Sequence, residues 1–64
     1  MSKESRIQKK AYRLSHARCE EILGSYGFQT YENESTSTLR RAIFANVLDG
    51  AIPEEVLNEG DGYA

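Results

Sequence analysis

Apolar residues recur at helical spacing through the first 26 residues of the chain, and no other feature restricts the fold as strongly. At about 100° per residue they fall on one wide arc of a helix predicted to run from about Ser5 to Gly24 or Tyr26, where Gly24 or Gly27 offers a stop. The arc comprises Ile7, Ala11, Tyr12, Leu14, Cys19, Ile22, Leu23 and Tyr26. The pattern predicts a helix with one buried face.

Polar residues mark the start of this helix and interrupt its apolar arc. Ser2 or Ser5 is competent as an N-cap, and basic residues near the first turn oppose the helix dipole, so residues 1–4 are expected to fray. Arg18 projects into the arc, where its aliphatic stem can pack while its guanidinium reaches an acid. The acids considered are Glu21, Glu32 and Glu34.

A second helix is predicted to start within Ser35–Ser37 and to run to Asp49, with Gly50 in the left-handed position beyond its end. Its apolar side comprises Leu39, Ile43, Phe44, Val47 and Leu48. Pro53 suits the first position of a short third helix. Residues 60–64 are expected to fray.

The connection between the two long helices holds three of the six aromatic residues of the chain. Tyr26 and Phe28 lie where the chain must reverse, and both are predicted to pack in the core, with the tyrosine hydroxyl left in water. Tyr31 has polar neighbours and is the candidate for an exposed loop contact. Structural packing remains an equal alternative for it.

The 64 residues are predicted to form one domain, residues 1–64, with a small core. Cys19 is the single cysteine, so an internal disulfide is impossible. No apolar run approaches the roughly 18 residues of a membrane span, and the polar, basic N-terminus does not resemble a signal peptide. The composition therefore predicts a soluble cytoplasmic protein.

Charge is divided sharply along the chain. Residues 1–18 carry six Lys and Arg against one Glu, a net charge of +5, whereas residues 19–64 carry two basic and nine acidic residues, a net charge of −7. A division of this kind bears on partners rather than on fold. The predicted basic face, available to a protein or to nucleic acid, comprises Arg6, Lys9, Lys10, Arg13, His16, Arg40 and Arg41. The alternative is a set of solvated charges that only attract one another.

Catalytic and metal-binding constellations are poorly supported. Any nucleophile–base pair must use His16, the single histidine, and Cys19 three residues later is its only companion at helical spacing. With Glu20 the same residues supply two or three metal ligands, whereas a structural zinc site normally needs four. We therefore expect no enzyme activity, no metal and no cofactor.

The apolar arc of the first helix exceeds what one short partner helix covers. A homodimer through the edge formed by Tyr12, Cys19 and Leu23 is therefore a further expectation.

Residues 19–48, CEEILGSYGFQTYENESTSTLRRAIFANVL, resemble the helix–extended loop–helix motif of SAP-like and LEM-like domains. In that motif a Leu-x-x-x-Gly-apolar helix end leads through an extended stretch to a Leu-x-x-x-Ile helix. The matching residues are Leu23, Gly27 and Phe28, then Leu39 and Ile43. The loop here is longer, and Ser and Thr replace the usual Gly and Lys before the second helix, which argues against DNA contact by the loop. Residues 38–57 look more loosely like the tails of small phage-encoded accessory proteins, which implies a stoichiometric binder of host machinery in the host cytoplasm.

Together these observations predict an all-α domain of two main helices joined by an extended aromatic-bearing loop, with a short C-terminal helix closing over them. The predicted function is non-catalytic binding of a macromolecular partner, with a protein favoured. The alternative is a nucleic-acid-binding module that uses the basic face of the N-terminal helix.

Overall fold

The computed structural model describes residues 2–58, which contain helices and turns but no strand. The elements in chain order are α1 (Lys3–Ala11), α2 (His16–Ser25), α3 (Thr36–Leu48) and a 3₁₀ helix (Glu54–Asn58). The prediction of an all-α domain with a short C-terminal helix is confirmed. Residues 60–64, which were predicted to fray, lie outside the described residues. No helix within residues 2–58 is long and apolar enough to span a membrane.

The predicted long first helix is wrong in one respect, because the chain breaks it into α1 and α2 at residues 12–15. Ser15 has an extended backbone, and its hydroxyl accepts a hydrogen bond from the Arg18 N–H at 3.1 Å. This cap satisfies one of the N–H groups that a helix start leaves without a partner. Ser15 therefore begins a new helix.

Helix length explains why the break is favourable. A straight helix of about 20 residues would be about 30 Å long, whereas a helix of 13 residues such as α3 spans only about 20 Å. Because the chain turns at residues 12–15, α1 and α2 both pack against α3. Leu14 lies in the corner and is only 1% exposed.

Serine caps all three α-helices. The hydroxyls of Ser2, Ser15 and Ser35 each accept from the N–H group three residues later. Ser2 is thus the cap of α1, and residues 3 and 4, predicted to fray, are helical. At the other ends, Gly27 and Gly50 have φ values of +83° and +88°, the left-handed conformation expected of a residue that follows a helix.

The core draws on every helix. The buried residues are Ile7, Ala11, Leu14, Cys19, Ile22, Leu23, Leu39, Ile43, Val47, Ile52 and Leu57. The 3₁₀ helix packs against α1, so the first and last helices of the described residues contact each other. No polar or charged residue within residues 2–58 is buried. The stability of the domain therefore depends on apolar packing around α3.

Candidate functional site

Two residues of the predicted basic face, Arg6 and Lys10, bind Glu54 of the 3₁₀ helix. The Arg6 Nε donates to Glu54 Oε2 at 2.7 Å and its Nη2 donates to Oε1 at 3.0 Å, while the Lys10 Nζ donates to Oε2 at 3.2 Å. The hydrogen bonds from these two cations lower the pKa of Glu54 from 4.5 to about 2, and the carboxylate raises the pKa of Arg6. These two positive charges serve the contact between α1 and the 3₁₀ helix.

The Glu54 contact predicts a defined pH dependence of stability. Because the folded-state pKa is lower than the unfolded value, the contact stabilises the domain fully above about pH 4.5 and is lost as pH falls towards about 2. We expect Glu54→Gln to lower the urea midpoint at pH 7 and to differ little from the native chain at pH 2. Glu55→Gln, at an exposed neighbour, is the matched control. Equal midpoints for the native chain and Glu54→Gln at pH 7 would contradict the assignment.

Two further members of the predicted basic face also bind within the domain. The Arg40 Nε donates to the Leu14 carbonyl oxygen at 2.8 Å, which joins α3 to the turn between α1 and α2. The His16 Nδ1 lies 2.8 Å from the Thr36 hydroxyl oxygen, and its Nε2 lies 3.7 Å from a Glu20 carboxylate oxygen. Both side chains therefore join secondary-structure elements.

The remaining cations of the predicted face, Lys9, Arg13 and Arg41, are exposed. None of the three forms an ion pair or a side-chain hydrogen bond with another residue in the described part of the chain. Lys9 lies in the last turn of α1, and Arg13 lies in the turn that follows this helix. Arg41 lies on α3, next in the chain to Arg40, which hydrogen-bonds to the carbonyl oxygen of Leu14, the residue after Arg13. We call these three residues the basic patch.

The aromatic residues of the connection between α2 and α3 differ in how far their burial agrees with the prediction. Phe28 is half-buried and packs against the core, as expected. Tyr26, also predicted to pack in the core, is 40% exposed, because it caps the end of α2 at the surface. Tyr31 is 56% exposed, and its backbone N–H donates to the Glu34 carboxylate at 2.8 Å. A partner contact by Tyr31 stays a prediction.

The predicted dimer edge is wrong for two of its three residues. Cys19 and Leu23 are 0% and 2% exposed, because the break before α2 lets this helix turn both side chains onto the core beside α3. Tyr12, at 40% exposed, lies at the surface in the turn after α1. This edge offers no continuous apolar surface to a second copy.

His16 and Cys19 do not form an exposed pair. The Cys19 thiol is fully buried, whereas the His16 side chain is 39% exposed and contacts Thr36. Within residues 2–58, no group of three His, Cys, Asp or Glu residues is placed to hold a metal ion. Arg18 pairs with Glu21, one of the acids predicted for it.

The structural roles of Arg40 and Glu54 could not be predicted from the sequence. Arg40 carries the same charge as Arg41 beside it, and Glu54 lies 48 residues from Arg6, so no local pattern distinguishes either. The N-cap of α2 has a weak signal in the sequence: Ser15 is a good cap, but Arg18 stands where a capping box has Glu or Gln.

No protein-family model matches the chain, and neither a curated protein nor a solved structure shows significant similarity to it.

Proposed function

We propose that the protein is a small, non-catalytic binding module that acts by stoichiometric contact with another protein, and that the contact uses the basic patch. The observation that carries this proposal is the division of the cations into two groups. Arg6, Lys10 and Arg40 bind within the domain, whereas the three cations of the basic patch remain exposed to solvent. An acidic protein surface would complement the patch, and complementary charge accelerates association.

The half-exposed Tyr12 supports a protein partner. It immediately precedes Arg13 and is 40% exposed, so an amphipathic aromatic side chain lies next to a charge of the patch. Tyrosine and arginine are both enriched where proteins bind one another. The likeness of residues 38–57 to small phage-encoded accessory proteins further suggests host machinery as the partner, with the cytoplasm as the place of action.

A nucleic-acid-binding module is the second candidate. The observation that favours it is the pair of exposed cations Lys9, in the last turn of α1, and Arg13, in the turn that follows. Three exposed cations make a small phosphate-binding surface. If each neutralised one phosphate of a duplex, the logarithm of the affinity would fall with the logarithm of the salt concentration with a slope of about −3. Arg6 and Lys10 do not enlarge this phosphate-binding surface, because both form ion pairs with Glu54.

The proposal is tested by comparing two charge reversals of equal size in a tagged pulldown from the native host. We expect the native chain and Lys3→Glu to recover one protein in stoichiometric amount, whereas Arg13→Glu loses at least about tenfold in recovery, because it removes a patch cation whose side chain has no partner within residues 2–58. Lys3 is the control because it is exposed but is not part of the patch. Circular dichroism checks that both variants fold.

Three outcomes would contradict this reading. Recovery of no protein above background by the native chain would remove the protein-binding proposal. Equal recovery by Arg13→Glu would remove the basic patch as its site. Salt-dependent binding of duplex or single-stranded DNA by the purified chain, lost in Arg13→Glu, would favour the second candidate, and absence of binding at low salt would exclude it.

A further inference from the structure

The outer surface of α3 carries a row of residues that the core does not use. Arg41, Ala45 and Asp49 follow one another at intervals of four, so they lie along one side of the helix, and all three are exposed. At 100° per residue, the half-buried Ala42 and Leu48 lie on either side of this row. The row is therefore charged at its two ends, with a small residue at its centre and apolar residues along its sides.

The charges at the two ends of the row have opposite signs, and neither is neutralised within the described residues. Arg41 and Asp49 form no ion pair with any residue in the range 2–58. Asp49 is the C-cap of α3, where the helix dipole disfavours an anion, and the last turn of α3 contains no basic residue to offset it. A cation supplied from outside would be favourable at this position.

The row is complementary to itself. When two identical helices lie antiparallel about a two-fold axis at Ala45, Arg41 of each helix is level with Asp49 of the other, since both are four residues from the centre. Rows of residues at intervals of four align when two helices cross at about 50°. The small side chain of Ala45 allows the two helices to approach closely at the crossing point. The same surface on both copies satisfies the condition for a two-fold dimer.

We propose that α3 forms a homodimer interface in which the Arg41–Ala45–Asp49 row of one copy packs antiparallel on that of a second copy. The interface replaces the edge of Tyr12, Cys19 and Leu23, two of whose residues are buried. It needs no other partner and shares only Arg41 with the basic patch, so Arg13→Glu distinguishes it from the function proposed above. One helix face is smaller than the approximately 800 Å² per partner of a standard interface. We therefore expect a weak dimer, half-formed at a concentration on the order of 100 μM.

Charge reversal tests the geometry of the pairing, because each dimer contains the Arg41–Asp49 contact twice. Arg41→Asp alone places two aspartates opposite each other at both ends, and Asp49→Arg alone does the same with two arginines. We expect each variant to dimerise at least about tenfold more weakly than the native chain. An equimolar mixture of the two variants restores an Asp–Arg pair at both ends and is expected to form heterodimers. Sedimentation equilibrium measures all four samples.

Matched controls separate loss of the interface from loss of the fold. Circular dichroism and the urea midpoint at low micromolar concentration report folding of each variant. Arg13→Glu, in the basic patch but outside the row, is expected to dimerise like the native chain. A native chain that stays monomeric up to about 1 mM overturns the proposal. Single variants that dimerise like the native chain, or a mixture of folded variants that fails to associate, overturn it as well.

Discussion

Replacement of Ile43 by alanine is expected to lower the free energy of unfolding by about 2–5 kcal/mol. Ile43 is 0% exposed and lies in the middle of α3, the helix against which both α1 and α2 pack. Truncation removes buried apolar atoms and leaves a cavity that three helices would have to close. A domain of 64 residues has a total stability of only about 3–10 kcal/mol, so the loss is a large part of the whole.

Urea unfolding followed by circular dichroism measures this effect, and a graded series makes the measurement specific. Ile43→Val removes one methyl group and is expected to cost about 0.5–1.5 kcal/mol. The free energy of unfolding should therefore fall from the native chain to Ile43→Val and much further to Ile43→Ala. A loss below about 1 kcal/mol for Ile43→Ala would show that α3 is not the centre of the core.

The second large effect distinguishes two adjacent arginines. Arg40→Leu is expected to lower the free energy of unfolding by about 1.5–3 kcal/mol, because the Arg40 Nε donates a charge-assisted hydrogen bond to the Leu14 carbonyl oxygen at 2.8 Å. Leu14 lies in the buried corner where the chain leaves α1 for α2. The bond therefore fixes the turn to α3.

Arg41→Leu is the matched control, since it makes the same chemical change one residue later on an exposed side chain. We expect it to change stability by no more than about 0.5 kcal/mol when measured at low micromolar concentration, where the proposed dimer is dissociated. Urea midpoints of the two variants provide the comparison. Similar midpoints for both variants would mean that the Arg40–Leu14 bond does not stabilise the turn.

The apolar positions of the core could be predicted from the sequence because helical periodicity reports which face of a helix is buried. Ile7, Cys19, Ile22, Leu39 and Ile43 all lie where the pattern indicates. The same pattern does not indicate the break between α1 and α2, because Leu14 continues the apolar arc through the turn. The one residue that favours a helix start here is Ser15, whose hydroxyl caps α2. A single capping residue is weaker evidence than an arc of eight apolar residues.

The roles of the charged residues could be predicted only as far as their positions along one helix. Periodicity places Arg6, Lys10 and Arg13 on one side of the predicted first helix, but it contains no information about which cations meet an acid. That depends on the 3₁₀ helix, whose Glu54 approaches α1 only in the folded chain. Helical spacing therefore identified where the cations lie, whereas tertiary packing determined which of them remain exposed.

The contact between α1 and the 3₁₀ helix also has a consequence for biosynthesis. Arg6 leaves the ribosome before its partner Glu54, which is made 48 residues later. Until then the nascent chain carries α1 without the segment that covers it, and contacts across so long a loop form late. We therefore expect the native structure to be completed only after translation has passed residue 54.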